Sequence, residues 1–329
     1  MRNWIQLGVF ALTIAVGVQF LVYVTQAAGD GPITVERPAG VEGFLPIGAL
    51  MGWKLYAFTG MWDPIHPAAM VILGFAMGIS LLFRKSFCGW FCPIGTLSEW
   101  VWKLGRRIFG RNFRLPTWLD YLLRSLKYVL LGFFVFAVSS MNVQATAGFI
   151  TGDYYKLSDV KMLHFFTRMS LLTGGVLAVL TLLSLLVQNF WCRYLCPYGA
   201  LTGLLAMVSP TAVSRDAESC IGCGRCDRAC ANRLPVQTQL RVYSPECSGC
   251  MECTRACPVE GTLKMRTAGV RRPWTALAMG LAVAGIFVGA VYTAKISGHW
   301  RSRVPETEFR MLLKHIDSPR IAHPPFRSN

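Results

Sequence analysis

Two stretches of this chain repeat one cysteine spacing, C-x2-C-x2-C-x3-C: Cys220, Cys223, Cys226 and Cys230, then Cys247, Cys250, Cys253 and Cys257. It is the bacterial ferredoxin spacing for a [4Fe-4S] cluster, and a backbone that must wrap an inorganic cube has little freedom to do anything else. The short gaps let three cysteines of one arm cover one face, and in two-cluster ferredoxins the fourth ligand comes from the other arm. One cluster is therefore expected at Cys220, Cys223, Cys226 and Cys257, and the other at Cys247, Cys250, Cys253 and Cys230. Gly222, Gly224, Ala229, Ser248, Gly249 and Ala256 fill the gaps, where backbone passes close to a cluster and turns N–H groups to sulfur. Zinc is the competing metal. Its sites close with two C-x2-C pairs or with cysteine and histidine, and residues 220–257 contain no histidine. The first arm departs from the usual pattern by lacking a proline after its last cysteine: it reads Cys230-Ala231, with Pro235 later.

The rest of the chain belongs to a different solvent. Of 329 residues 53% are hydrophobic and only 15% charged, too apolar for an ordinary soluble domain, so membrane lipid is an expected partner. The net charge of +16 does not indicate nucleic acid, because the basic residues are spread along loops that flank apolar runs.

Five apolar runs are expected to cross the bilayer, at about 4–24, 66–83, 121–141, 169–188 and 274–292. The first reads as a retained anchor, with a cleaved signal peptide as the alternative. Residues 25–65 carry four acidic against two basic side chains and form an outer loop, capped by an interfacial segment or a partly inserted hairpin. Residues 84–127 hold nine Lys or Arg and two acids, which places them on the cytoplasmic side. Within them Trp100 to Phe109 should lie along the surface as an amphipathic helix. Residues 142–167 read as an outer loop. The cysteine arms fall in 189–273, with eleven basic and six acidic residues, also cytoplasmic. The 37-residue tail has seven basic residues against three acids, which argues for the inside, whereas the parity of five spans argues for the outside. The expected protein is thus an α-helical integral membrane protein of the bacterial inner membrane, with an inserted α+β 2[4Fe-4S] ferredoxin-like module on the cytoplasmic side. Its expected parts are a membrane domain (1–212), the module (213–266), and a last helix and tail (267–329).

An offset of 104 residues aligns Cys88 with Cys192, Cys92 with Cys196, Pro93 with Pro197 and Gly95 with Gly199. Each C-x3-C-P motif follows an apolar run at the same distance, so the two runs read as copies in one orientation. Cys88, Cys92, Cys192 and Cys196 would then meet at one membrane face, their i and i+4 spacing setting each pair on one side of a helix. Four converging thiolates suit a third iron–sulfur centre. A metal-free docking role and inert packing are the competing readings, and Lys85 and Arg193 nearby are expected to lower the thiol pKa. The five histidines fall at expected outer positions, mostly solvated or interfacial; His66 is the candidate for a quinone contact.

With both motifs in hand, the chain resembles the membrane-bound 4Fe-4S polyferredoxins of the NapH and NosR type, over nearly its whole length. The resemblance implies a membrane electron carrier working between the quinone pool or a soluble donor and a redox partner protein, in some members as a quinol dehydrogenase. Two related groups share the motifs: metal-reducing assembly factors of respiratory oxidases, and redox-sensing regulators with a large outer domain. No nucleotide signature is present, which argues against bound NAD or flavin.

Overall fold

The computed structural model of the chain describes residues 1–323 and is mostly helical; of the expected tail, 324–329 lie outside the described residues. In chain order the α-helices are α1 (Arg2–Ala28), α2 (Pro46–Thr59), α3 (Pro67–Phe83), α4 (Pro93–Phe109), α5 (Thr117–Ser140), α6 (Val143–Thr151), α7 (Asp153–Lys156), α8 (Ser158–Thr167), α9 (Leu171–Leu186), α10 (Pro197–Ala206), α11 (Arg225–Ala229), α12 (Glu252–Ala256), α13 (Ala276–Ile296) and α14 (Glu306–Lys314). Two strands, β1 (Thr211–Arg215) and β2 (Leu263–Thr267), pair antiparallel with Thr211 opposite Thr267 and Arg215 opposite Leu263.

Three helices among the described residues are long and apolar enough to cross a membrane by themselves: α1, α5 and α13, of 27, 24 and 21 residues. Helices α8 and α9 pass only as a pair bent by 78°, and α3 has 17 residues. The five expected runs therefore become three full-length helices, one bent pair and one short helix. The short ones are stopped by left-handed residues, a common way to end a helix. Arg84 (φ 62°) follows α3 and Asn189 (φ 55°) follows α9, and after each stop comes a π-helical turn, Phe87–Phe91 or Trp191–Leu195. At ~1.5 Å per residue the 16 residues of α9 reach ~24 Å, short of the ~30 Å hydrocarbon core.

The long helices expose large apolar side chains. Val129, Phe133 and Phe136 of α5 are 64%, 62% and 70% exposed, and Leu281 and Val288 of α13 are 63% and 64% exposed. Surface of that kind is stable only in an apolar solvent, so the chain is a membrane protein. Helix α4 differs: it buries Thr96, Glu99, Trp102 and Gly105 and turns Leu97, Leu104 and Ile108 outward beside Arg106 and Arg107, as an interfacial helix does.

The chain forms two compact units whose boundaries fall inside the long helices. The first (1–10, 76–131, 175–287) contains both C-x3-C-P motifs and both cysteine arms. Here α4 and α9 touch backbone to backbone: a Cβ added to Gly105 would lie 1.9 Å from the Leu185 carbonyl oxygen.

The second unit (11–75, 132–174, 288–329) has its own core, in which Phe20, Tyr23 and Val24 of α1 pack with Leu157, Val160 and the Phe309, Leu312 and Leu313 face of α14. The expected outer loop at 142–167 is almost wholly helical, as α6, α7 and α8, because Tyr155, Leu157 and Val160 are buried in this unit. The tail is tied to the first loop: Arg310 donates to the carbonyls of Gly29 (2.9 Å) and Gly31 (2.8 Å), and Lys314 meets Asp30 at 2.9 Å.

Gly105→Ala should overpack the α4–α9 contact and cost ~1–3 kcal/mol. It should lower the thermal midpoint of the detergent-solubilised protein. Gly78→Ala, in a helix position where the new Cβ meets nothing within 4 Å, should not lower it.

Candidate metal centres

The two cysteine arms fold alike. Gly222 and Gly249, and again Gly224 and Met251, hold left-handed backbone at φ 59–70°, and each arm then starts a five-residue helix, α11 or α12. This double turn bends the chain round on itself so that its cysteines face one side. Gly224 adopts the conformation without strain. At the matching place Met251 is a non-glycine residue with positive φ, and its side chain is buried.

The eight thiols line two cavities. One is bordered by Cys220, Cys223, Cys226 and Cys257; the other by Cys230, Cys247, Cys250 and Cys253. Each cavity thus takes three cysteines from one arm and one from the other. Among the described residues no three His, Cys, Asp or Glu side chains close tightly enough to grip a single ion. Four soft donors spread round a cavity fit a cluster better than a lone ion. The two cavities differ in surroundings. Cys223 and Ile221 are exposed at the first, whereas Cys247 and Cys253 are buried at the second. At the first, N–H of Gly222 and the side chain of Arg215 hold the Cys220 thiol below its ordinary range. At the second, burial pushes Cys230 up to about 12 and raises Cys250 and Cys253. Thiols so placed stay protonated at neutral pH, and a coordinating metal deprotonates them outright.

The second arm is seated on the first C-x3-C-P motif. Trp90 Nε1 donates to the Gly249 carbonyl at 3.1 Å. A Cβ on Gly89 would lie 2.6 Å from the Ser248 oxygen, and one on Gly249 would lie 2.5 Å from Ser86 Oγ, so both glycines are required by close approach. In the second motif Arg193 Nη1 donates to the Asn232 carbonyl at 3.1 Å, while Asn189 Nδ2 reaches the Ala231 carbonyl at 3.3 Å. Both motifs therefore contact chain next to cysteines of the second cavity.

The four remaining cysteines also meet. Cys92 lies close enough to the other three members of the quartet to feel their charge, Cys192 feels Cys88 and Cys196, and Cys196 feels Cys88. Cys88 Sγ stands 3.5 Å from Thr202 Oγ1, and Cys192 takes a hydrogen bond from Ser98. Ser98 and Thr202 are themselves 104 residues apart, so each copy's first cysteine meets a hydroxyl on the other copy's helix, as a local twofold requires. Two expectations are corrected here. The cysteine pairs do not share one continuous helix face: Cys88 and Cys192 sit in π-helical turns, while Cys92 and Cys196 are extended N-caps whose Sγ accepts from Gly95 N (3.4 Å) and Gly199 N (3.3 Å). Nor are the pKa values of Cys92, Cys192 and Cys196 lowered. Burial and the neighbouring sulfurs push Cys192 up to about 12 and raise Cys92 and Cys196, because Arg193 spends its guanidinium on Asp120, at 2.9 and 2.8 Å.

His66 is likewise not interfacial. It is fully buried in the second unit, with Nε2 2.8 Å from the Tyr155 carbonyl oxygen and Nδ1 3.5 Å from Glu42 Oε1. Burial disfavours its protonated form, but Glu42 more than offsets this and raises its pKa.

Sequence reasoning missed the charged residues that seat the module. Arg84, fully buried, donates to the carbonyls of Ala206 (3.0 Å) and Ser244. Lys127, fully buried, holds both Glu246 oxygens at 2.5 and 2.6 Å. Arg2 pairs with Glu99 and, at 3.2 Å, with Glu252. The available signal was a lysine inside an apolar run, which is a functional flag in a membrane segment.

Burial alone would raise Glu246 and Glu99. Lys85 and Lys127 hold the first below its ordinary range, and Arg2 and Lys103 hold the second. With folded pKa values depressed, both contribute stability above the unfolded value of ~4.3 and lose it as pH falls through the folded ones. The thermal midpoint should therefore drop as pH falls below ~4.3, and Glu246→Gln should flatten that drop. Arg193→Ala should cost ~1.5–3 kcal/mol by removing the bidentate partner of Asp120, with Arg124 and Tyr194 remaining, read as reduced thermal stability.

Comparison with known proteins matches this layout. The 4Fe-4S binding domain family matches residues 65–112 and 169–215, two stretches that begin 104 residues apart, and the 4Fe-4S dicluster domain family matches 212–258. YccM of Escherichia coli K12, assigned by its name to electron transport, is 42% identical over 328 residues, 98% of this chain and 91% of that protein. The regulatory protein NosR of Pseudomonas aeruginosa is 29% identical over 189 residues, 56% of this chain and 24% of NosR. The ferredoxin-type protein NapH of Escherichia coli K12 is 28% identical over 173 residues, 50% of this chain and 55% of NapH. The chain thus spans about a quarter of NosR and about half of NapH. No solved structure matches. By its paired cysteine arms, its doubled C-x3-C-P motifs and a relative similar along almost all of its length, the chain belongs to the family of membrane polyferredoxin-like iron–sulfur electron transport proteins.

Proposed function

We propose that this electron transfer protein holds two [4Fe-4S] clusters in its module, one on Cys220, Cys223, Cys226 and Cys257 and one on Cys230, Cys247, Cys250 and Cys253. The observation that carries the proposal is the pair of cavities, each lined by three cysteines of one arm and one of the other. A cluster so held takes up and releases one electron at a time, at a potential set by hydrogen bonds to sulfur, nearby charge and exposure. The residues divide this work unevenly. Exposed Cys223 and Ile221 make the first site the side that a soluble redox protein reaches. The second site, buried and bonded through Gly249 and Asn232 to the C-x3-C-P motifs, is the side joined to the membrane helices. The quartet Cys88, Cys92, Cys192 and Cys196 is proposed as a third iron–sulfur centre, supported by its convergence and by the domain family that matches both copies.

The proposed topology has five crossing segments, α1, α3, α5, α9 and α13, with the module on the cytoplasmic side of the inner membrane. Besides the loop charges, it is supported by the binding of the tail to residues 29–31. That contact favours a tail on the side of the first loop, in keeping with an even number of crossings between them. A membrane hydroquinone is the second reading for the donor. A cavity of about 330 Å³ in the second unit is lined mostly by polar and charged groups, Glu36, Arg37, Glu42, Arg301 and Glu306 among them, which are able to bond the hydroxyls of such a ring.

The purified protein should hold about eight iron atoms in the module, and more if the quartet is loaded. In electron paramagnetic resonance, Cys257→Ser should damage the same signal as Cys220→Ser, and Cys230→Ser the same signal as Cys250→Ser. Assignment of Cys230 and Cys220 to one signal would refute the pairing. Reporter fusions after Asn112 and Met265 should read cytoplasmic, and those after Asp153 and Asn329 should read outside.

A further inference from the structure

The seam beside the cysteine quartet carries more buried positive charge than it can neutralise. Lys127 is fully buried and Lys85 is 5% exposed. They share one carboxylate: Glu246 meets Lys127 at 2.5 Å and Lys85 at 3.8 Å. Arg84, also fully buried, bonds only backbone carbonyls, and its Nε has no partner. Three cations thus stand against one anion. Two other buried cations of the unit meet carboxylates directly: Arg193 pairs with Asp120, which also holds Arg124, and Arg2 pairs with Glu99 and Glu252. An uncompensated buried ion costs several kcal/mol, so a stable fold with this surplus calls for negative charge nearby.

Among the described residues, the groups beside the surplus that become anionic on binding a metal are thiols of the quartet. Lys85 feels Cys88, Cys192 and Cys196, and Cys196 feels both Lys85 and Lys127. The Lys85 ammonium also lies 3.6 Å from where a Cβ of Gly199 would stand, over the turn that begins α10 next to Cys196. Neutral thiols would leave the surplus in place. Four thiolates holding iron and sulfide carry net negative charge and remove it.

Resting on the reading of the quartet as a third redox centre, we infer that Lys85 and Lys127 are its counter-charges: positioning residues that hold the centre in this seam and raise its reduction potential. The direction follows from electrostatics. Adding an electron makes the centre more negative, and nearby fixed cations stabilise that form. The shared carboxylate Glu246 precedes Cys247, so the same three side chains tie the quartet to the second cavity of the module.

The test is a potentiometric titration, by electron paramagnetic resonance, of the full chain in membranes, with iron content measured in parallel. The probe is the signal lost in Cys92→Ser and Cys196→Ser. Lys85→Met should move its midpoint negative, so that at the wild-type midpoint the reduced fraction falls at least tenfold. Lys85→Arg should restore it, and the signal lost in Cys220→Ser should stay in place. The double variant Lys127→Met with Glu246→Gln removes one charge of each sign; it should fold and shift the quartet's midpoint less than Lys85→Met does. An unmoved midpoint in Lys85→Met, or an equal shift in the double variant, would overturn the counter-charge role alone. Absence of any signal or iron dependent on Cys92 and Cys196 would overturn the third centre, and this inference with it.

Discussion

An ammonium on an apolar helix must be neutralised where it stands, and Lys127 meets that demand through Glu246 of the module. Removing one partner of such a pair costs ~3–5 kcal/mol, so the pair commits the module to one seat on the helices. The other contacts agree with that seat. Gly89 and Gly249 allow backbone to touch backbone, Trp90 bonds the Gly249 carbonyl, and Arg84 takes the carbonyl of Ser244. The module is built into the membrane domain and does not hang from it on a linker.

This seating makes two nearly identical cysteine arms unequal. The shared double turn gives each arm the same ligand geometry, but one cavity faces water and the other faces buried helices. Thiol acidity follows: Cys220 is held low by an N–H and an arginine, while Cys230 is pushed up by burial. The difference arises from packing alone.

The cysteine arms were legible because ligand spacing is a short-range property, set by the reach of a few residues around a cube. The internal repeat was legible for the same reason, down to its 104-residue offset. Helix lengths were not, since the chain stops α3 and α9 with Arg84 and Asn189 in left-handed conformation and not with the glycine or proline that would announce it. The burial of His66, and the dominance of desolvation over Lys85 and Arg193 at the quartet, depend on partners far along the chain, Tyr155 for His66 across 89 residues and Asp120 for Arg193 across 73, beyond any local pattern. Glu246 looked like one more surface acid of the module; only its distance to Lys127 shows otherwise.

The tail has a consequence for the order of assembly. Phe309, Leu312 and Leu313 complete a core begun by Phe20 and Tyr23, and Lys314 closes on Asp30 across 284 residues. Contacts so far apart in sequence form late, because the loop between them must close first. The second unit is therefore left open until the last helix has been made and inserted. α14 then acts as a latch. A chain cut short before residue 306 would keep every cysteine discussed here yet uncover Phe20, Tyr23 and Leu157, the kind of exposed apolar surface that cellular proteases and chaperones recognise.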